Sequence, residues 1–292
     1  MPLLSIPSPS GGEIDVGPIA IHAYGLMLLL AIVAATVLTG MRWVRRGGDW
    51  DLVFQVAVWG VAFGIVGARA YHVLTSWSEV PAEWWGVLAV WEGGVGVWGG
   101  IFLGVVAGAV VVKRSGNSVF AFMDAVAPGL LLAQAIGRWG NWFNQELFGE
   151  PTDRPWGLEI DLAHRPLGYL DSETFHPVFL YEFTWNVVGV IVLLVLDRFV
   201  RFRPPALFAL YVAWYTAFRT YEETLRIDQA HEYFGQRLNF WVSVVLFALS
   251  LAFFVYWQFI RRQRGGGERA AARPREVPPG ERMAVPKGRV RG

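Results

Sequence analysis

The sequence predicts an all-α, polytopic integral membrane protein with about seven transmembrane helices. Of its 292 residues, 54% are hydrophobic and only 17% are charged, whereas soluble chains carry about 25% charged residues. Its long apolar runs each approach the ~20 residues that a bilayer core requires. These runs are continuously apolar instead of alternating in a period of two, which favours helices over barrel strands. The chain has 15 tryptophans, a high number that is typical of a protein with many residues at the membrane–water interface.

The apolar runs divide the chain into three parts. The predicted spans are residues 19–41, 52–74, 87–112, 120–143, 177–199, 205–225 and 238–260. Charged residues interrupt the fourth and the sixth of them. We therefore expect an extracytoplasmic N-terminal segment over 1–18, a transmembrane domain over 19–260 and a cytoplasmic tail over 261–292.

Loop charges predict the orientation. Three alternate connections, those after the first, third and fifth spans, are basic: they hold Arg42, Arg45 and Arg46, then Lys113 and Arg114, then Arg198, Arg201 and Arg203. The segment before Ile19 and the connection over 76–85 contain no Lys or Arg. By the positive-inside rule, the N-terminus lies outside and the C-terminus in the cytoplasm.

The tail over 261–292 differs in composition from the rest. It holds ten Lys or Arg against three Glu, is rich in Gly and Pro, and has no apolar periodicity. Such a composition predicts disorder. A solvated topology anchor is the favoured interpretation; attraction to anionic lipid headgroups is a second, and nucleic-acid binding a weaker third. We expect that deletion of 265–292 spares activity.

The chain has no cysteine and only five scattered histidines. The absence of cysteine excludes disulfides, a thiolate nucleophile and a Cys-ligated metal. The scattered histidines show no metal-ligand spacing. We therefore expect neither a metal nor another cofactor.

Polar residues gather at the end of the fourth predicted span. Ionisable groups at the centre of a membrane helix cost roughly 2.5–3.5 kcal/mol each on insertion scales, so they are functional candidates. The segment 135–149 carries Arg138, Asn141, Asn144, Gln145 and Glu146. If this segment is helical, Arg138, Asn141 and Gln145 share one face.

The sixth predicted span ends in a second charged group. Arg219 and Glu223 are four residues apart, and Tyr215 lies one turn earlier. Taken alone, the pair is better explained as a helix-end pair that reaches for water. That explanation leaves Arg138, at the same predicted depth, unexplained. Two guanidinium groups at one depth suit an anionic phosphate, because arginine offers a planar bidentate donor.

Glycines repeat every four residues in the third predicted span, at Gly96, Gly100, Gly104 and Gly108. This stripe predicts close helix packing. A phosphate-binding P-loop is disfavoured because no Lys-Ser/Thr pair follows.

Three further candidates carry weaker signals. Tyr24 opens the first span and Arg69 lies near the outer end of the second. A lone polar or aromatic residue at such a depth is usually an interface anchor. His176 precedes Pro177 at the start of the fifth span, where capping explains the residues as well as catalysis does.

The segment Gly137–Gly149, GRWGNWFNQELFG, resembles the signature of the bacterial prolipoprotein diacylglyceryl transferases. Five other motifs are similar to this family in the expected order: HAYGLM at 22–27, GARAYHVL at 67–74, DAVAP at 124–128, HPVFLYE at 176–182 and RTYEETLR at 219–226. The resemblance covers residues 19–260, and the first signature is the most specific.

The resemblance implies a reaction and its setting. Such enzymes transfer the diacylglyceryl group of phosphatidylglycerol to the lipobox cysteine of an exported prolipoprotein, with release of glycerol phosphate. It implies a catalytic domain over 19–260, a seven-helix fold in the bacterial cytoplasmic membrane and a site that faces outward. The implied partners are phosphatidylglycerol, the prolipoprotein signal peptide and membrane lipids, without nucleic acid or cofactor.

The resemblance also implies roles for residues. Arg138 and Arg219 would stabilise the charge of the departing phosphate. Glu223 would orient Arg219 or accept the thiol proton, while Asn141 and Glu146 would shape the headgroup pocket. The other candidates for substrate binding are Tyr24, Arg69, Asn144, His176 and Tyr215.

One departure from the family leaves the base open. Many members carry a histidine in the glycine-rich motif, favoured as the base, where this chain has Trp98 in VWGG. Tryptophan cannot accept a proton. Glu223, Glu146 and His176 are alternative bases; otherwise the arginines and solvent suffice, because a free thiol has a pKa of about 8.5.

The leading rival interpretation is a transporter or channel for an anionic solute, which also places arginine inside the membrane. Transporters often consist of two repeated halves with broken helices. The chain shows no such duplication, and its polar residues crowd toward one face. A second rival is a non-enzymatic membrane scaffold, which the glycine stripe alone would permit but which leaves the polar cluster unexplained.

Overall fold

The structure is a computed structural model that describes residues 5–9, 11–16, 19–83, 85–94, 96–228, 230 and 232–261. Seven long helices form the described framework: α1 (Ala23–Arg45), α2 (Trp50–Thr75), α3 (Val97–Arg114), α4 (Val119–Phe143), α5 (Val178–Phe199), α6 (Ala206–Leu225) and α7 (Leu238–Val255). The described residues also form three antiparallel strand pairs: β1 (Glu13–Val16) with β2 (Ile19–His22) before α1, β3 (Leu158–Glu159) with β4 (Thr174–Phe175) between α4 and α5, and β5 (Glu232–Tyr233) with β6 (Gln236–Arg237) between α6 and α7. The predicted tail over 261–292 lies, apart from Arg261, outside the described residues.

Six of these helices are long and apolar enough to cross a membrane: α1 to α5, and α7 with its extension to Ile260. The prediction of a mostly helical, multi-pass membrane protein is therefore confirmed. The remaining helix, α6, has 20 residues, which corresponds to about 30 Å. It is less apolar because Arg219, Glu222 and Glu223 lie in its last two turns.

The predicted boundaries of the first and third spans are wrong. Residues 19–22 form strand β2, so α1 begins at Ala23 and continues to Arg45. The third helix begins at Val97, ten residues after the predicted start. Residues 86–92 instead form two short 3₁₀ turns, and Gly93 and Gly94 follow with φ of 87° and 68°. Hydropathy alone does not detect these backbone reversals.

The glycine stripe of α3 packs closely on a neighbouring helix, as predicted, and the structure shows that this helix is α2. A Cβ atom on Gly100 would lie 3.2 Å from the Gly64 carbonyl oxygen, and one on Gly104 would lie 3.0 Å from that of Gly60. The closest approach joins Gly67 and Gly99, where a Cβ on either residue would lie within 2.3 Å of the other's carbonyl oxygen. Small residues let the two backbones meet and form a tight α2–α3 hairpin.

The remaining helices form a bundle in which α4 is central. It packs against α1, α5 and α6, while α7 packs against α6. The core between them includes the fully buried Leu131, Leu193 and Leu207. The packing therefore brings α1, α5 and α6 against α4, and these four helices carry the candidate site.

A small cap of irregular chain covers one end of the bundle, where α4 ends and α5 begins. Phe148, Leu158 and Phe175 form its buried core. The N-terminal segment packs on this cap, since the Ile6 amide donates to the Gly157 carbonyl at 2.8 Å. The ends of α4 and α5 thus lie beneath an ordered layer of protein.

Candidate active site

The α4 end of the candidate site is a chain of polar contacts. Arg138 and Asn141 lie one turn apart on α4, and Arg138 Nη1 donates to Asn141 Oδ1 at 3.2 Å. Asn141 Nδ2 in turn donates to Glu146 Oε1 at 2.8 Å. Asn144 Nδ2 lies 3.4 Å from the same oxygen. Arg138, Asn141, Asn144 and Glu146, all predicted as site residues, are therefore brought together.

The predicted helical face that joined Gln145 to Arg138 is wrong. The helix ends at Phe143, and Gln145 has a φ of 50°, so the chain reverses there. The Gln145 side chain turns into the cap, where Nε2 donates to Asp161 Oδ2 at 2.6 Å and Oε1 accepts from the Asp161 amide at 2.8 Å. This reversal leaves Glu146 facing back toward Asn141.

The α6 end of the site holds Arg219 between two carboxylates. Its Nη1 lies 2.9 Å from Glu222 Oε2, and its Nη2 pairs with Glu223. Tyr215, one turn earlier, packs on the core between α4, α5 and α6. The predicted Arg219–Glu223 pair is present, and Glu222 is a partner that sequence analysis did not select.

Glu182 of α5 joins the two arginines. It pairs directly with Arg138, and its Oε2 lies 3.9 Å from Arg219 Nη1. Glu222 makes a second link, since its Oε1 lies 3.5 Å from Arg138 Nη2. The side chains of Arg138 and Arg219 are 12% and 15% exposed, whereas those of Glu182 and Glu222 are almost fully enclosed. Three helices thus meet in one buried charge network.

The connection between α6 and α7 extends this network. Arg237 Nε lies 3.1 Å from Glu223 Oε2, and Arg237 Nη2 lies 2.6 Å from Asp228 Oδ2. Arg226 Nε donates to the other oxygen of Asp228 at 2.8 Å. Burial alone would raise the pKa of Asp228, but the bonds from Arg237 and Arg226 prevail and lower this pKa to about 2. The loop is thereby clamped to the end of α6.

Tyr24 joins the site from α1. A Cβ atom on Gly140 would lie 2.6 Å from Tyr24 Cδ2, so the tyrosine ring rests on α4 where the helix lacks a side chain. Gly140 immediately precedes Asn141. The structure therefore brings a fourth helix against the Arg138–Asn141 turn.

Within the described part of the chain, Arg69 and His176, two predicted substrate-binding residues, make contacts that do not involve the arginine network. Arg69 is buried and donates to the carbonyls that follow α2, including those of Gly86 at 2.5 Å and Gly93 at 2.7 Å. His176 Nδ1 lies 3.0 Å from the Tyr181 hydroxyl, and burial and the nearby Arg154 lower its pKa. Among the described residues, these contacts do not include the paired arginines.

Sequence analysis missed five members of the network: Glu182, Glu222, Arg226, Asp228 and Arg237. Two of them had a signal. Glu182 stands one turn inside an apolar helix, and Glu222 adjoins Glu223 near the end of α6, three residues after Arg219; both are costly positions for charge. The other three lie in a connection, where charged residues are ordinary.

The geometry suits binding of an anion beneath the cap. Each guanidinium has five N–H donors, and the contacts above use its two Nη atoms, so donors remain for a ligand. The buried carboxylates hold both arginines in place before a ligand arrives. Preorganised donors of this kind stabilise charge that develops in a transition state.

Comparisons with known proteins identify the family of the chain. Residues 13–256 match the family model described as prolipoprotein diacylglyceryl transferase. The chain is 50% identical over 256 residues to phosphatidylglycerol–prolipoprotein diacylglyceryl transferase 2 of Streptomyces coelicolor, covering 86% of this chain and 80% of that protein. It is 44% identical over 274 residues to the Cutibacterium acnes transferase, covering 93% and 92% of the two chains. A Bifidobacterium adolescentis transferase is 41% identical over 273 residues. The chain belongs to the prolipoprotein diacylglyceryl transferase family.

Proposed function

We propose that this protein transfers the diacylglyceryl group of phosphatidylglycerol to the lipobox cysteine of prolipoproteins, the first step of lipoprotein maturation. The observation that carries this proposal within the family is the joining of Arg138 and Arg219 through Glu182 and Glu222. Transport of an anionic solute receives no support from the relatives, whose names describe transferases.

The reaction exchanges one bond for another at a glyceryl carbon. The thiol sulfur attacks the carbon that carries the phosphate, a C–S bond forms and the C–O bond breaks. The electron pair of that bond leaves with the phosphate, which changes from a diester monoanion to a monoester dianion. The thiol proton passes to a base or to solvent. Charge therefore builds up on the phosphate, where donors are most effective.

The arginines bind this phosphate. Arg138 and Arg219 come from different helices, so an oxygen between them would receive donors from two sides. Asn141 contacts Arg138, Glu146 contacts Asn141, and both contact the lipid headgroup, with Asn144 supporting Glu146. Tyr24 positions the lipid against α4, as its contact with Gly140 supports.

Glu146 is the base that its surroundings favour. Its carboxylate is exposed and accepts from Asn141. Glu223, by contrast, is buried, and its two oxygens pair with Arg219 and Arg237. We expect Glu146→Gln to lower turnover chiefly by removing the thiolate at neutral pH, so that a higher pH restores part of the rate. Glu223→Gln would leave the pH profile unchanged in shape.

The protein crosses the bacterial cytoplasmic membrane seven times, with the N-terminus and the site outside and the C-terminus inside. Basic residues such as Arg45 and Arg114, at the ends of helices opposite the site, support this orientation. The lack of cysteine permits a direct test, because a membrane-impermeant thiol reagent labels only introduced cysteines. In intact cells, the reagent should label the Glu150→Cys variant and should not label the Arg114→Cys variant. The reverse pattern would invert the topology.

The activity is tested by transfer in vitro. Purified protein, phosphatidylglycerol and a lipobox peptide are incubated, and the mass of the peptide is followed; a peptide with serine in place of cysteine is the control. A diacylglyceryl mass gain that Arg138→Ala abolishes and Arg114→Ala retains is the expected result. A folded protein that gives no gain with several lipids contradicts the proposal.

A further inference from the structure

A second cluster of charge lies at the end of the bundle opposite the site, where Arg42 and Asp124 are buried and Asp197 is partly exposed. We infer that these three are positioning residues, which set the axial register of the four helices that carry the reactive end. The effect on catalysis rests on the proposed function. The locking of the four helices by the cluster does not depend on that function.

Arg42 of α1 replaces a backbone hydrogen bond that Pro128 removes from α4. Pro128 lies inside α4 and has no N–H, so the carbonyl of Asp124, four residues earlier, loses its helical partner. Arg42 Nη2 donates to that carbonyl at 2.8 Å, and Nε donates to the Ala125 carbonyl at 2.9 Å. The Arg42 side chain is 6% exposed. The guanidinium therefore joins α1 to α4 at one particular turn.

The backbone carbonyl of Asp124 contacts α1, whereas its side chain contacts α6. Its Oδ1 accepts from the Phe208 amide at 2.9 Å. Phe208 lies in the first turn of α6, where backbone amides have no helical acceptor. A carboxylate is favourable there because the helix dipole is positive at the N-terminus. Asp124 thus joins α4 to the start of α6.

Asp197 brings α5 into the same cluster. It lies in the last turns of α5, and its Oδ2 is 3.2 Å from Arg42 Nη1. Its other oxygen lies 2.8 Å from Arg46 Nη2. Through three side chains, four helices are held at one level: α1, α4, α5 and α6.

The same four helices supply Tyr24, Arg138, Glu182 and Arg219 at their other ends. At 1.5 Å per residue, Asp124 and Arg138 are about 21 Å apart along α4, and Phe208 and Arg219 about 16 Å along α6. Helices are stiff over such lengths, so a slip at the cluster shifts the site arginines relative to one another. A displacement of about 1 Å is enough to lower turnover roughly 100-fold.

The test combines kinetics with a distance. Arg42→Met and Asp124→Leu break the cluster, whereas Asp124→Asn keeps an oxygen for the Phe208 amide. Arg45→Met is the matched control, an exposed arginine in the same turn of α1. Spin labels at Leu29→Cys and Thr224→Cys, both exposed, report the spacing of α1 and α6 near the site, and the chain has no other cysteine to label.

We expect Arg42→Met and Asp124→Leu to lower kcat roughly 10–100-fold, with KM for phosphatidylglycerol within twofold and a broader label distance. Asp124→Asn should recover most of the rate, and Arg45→Met should match the parent. If either breaking variant fails to fold, Asp197→Asn replaces it. An unchanged distance in folded variants overturns the lock. If the parent protein itself modifies no peptide while the variants still change the label distance, the lock is retained and the proposed function is overturned.

Discussion

Arg138 of α4 and Glu182 of α5 form an ion pair whose side chains are only 12% and 1% exposed. The same carboxylate lies 3.9 Å from Arg219 of α6, so one buried acid balances two arginines from different helices. Charges in such surroundings are stable only together, because removal of one partner leaves the other desolvated. Glu182, like Glu222, is therefore a residue on which the placement of both arginines depends.

Glu182→Gln is expected to destabilise the protein by about 3–5 kcal/mol, the usual cost of breaking a buried ion pair, and to lower turnover. The measurement is thermal unfolding in detergent beside the initial rate of peptide modification. Glu150→Gln, an exposed glutamate in the cap, is the control and should change neither. An unaltered unfolding temperature for Glu182→Gln would falsify this account of the pair.

Gly140→Ala is expected to lower turnover more than Gly137→Ala. The added methyl group would lie 2.6 Å from the Tyr24 ring at the first position, while the second has nothing within 4 Å. The displaced tyrosine should raise KM for phosphatidylglycerol, whereas alanine at 137 adds only helix propensity, worth about 1 kcal/mol. Initial rates across lipid concentrations separate the two. Equal effects would remove Tyr24 from the lipid site.

Asp228→Asn is expected to lower stability in a way that depends on pH. The folded-state pKa of Asp228 is lowered from 3.8 to about 2, so the carboxylate stabilises the fold fully above pH 4 and loses this effect as the pH falls toward 2. The difference in unfolding temperature from the parent should be constant between pH 7 and 5 and shrink below 4. Asp153→Asn, at an exposed position, is the control. A difference that grows on acidification contradicts the assignment.

Gly67→Ala is expected to separate α2 from α3, with a cost of about 1–3 kcal/mol for overpacking. Its Cβ atom would lie 2.3 Å from the Gly99 carbonyl oxygen, whereas at Gly60 the nearest atom is 3.8 Å away. Gly60→Ala is thus the matched control on the same helix and should unfold at the parent temperature. If both variants unfold together, the close contact contributes little.

Trp98→His is expected to leave the pH profile of turnover unchanged. Trp98 lies in the first turn of α3 and is 52% exposed, while Glu146 supplies the proposed base at the end of α4. Rates between pH 6 and 9 provide the measurement. A new ionisation near pH 6.5, the ordinary pKa of histidine, would indicate that a base can act from α3.

The sequence by itself determined the class of the protein and selected Arg138, Asn141, Arg219 and Glu223 as residues of the candidate site. Long apolar runs specify membrane helices because the bilayer requires length and apolarity. The Arg219–Glu223 pair and the α3 glycine stripe follow from helical periodicity alone. Arg138 and Asn141 can be selected from the sequence because a charged group and an amide group are costly at the end of an apolar span.

The tertiary structure decided the partners. Nothing local shows that Glu182 meets Arg138, or that Arg42 reaches the carbonyl freed by Pro128, because these contacts join helices far apart in the chain. It also decided the direction of Gln145, since a positive φ beyond the helix end stops the periodicity on which the predicted face depended. Periodicity describes one helix at a time, whereas a buried charge is placed by the neighbours that neutralise it.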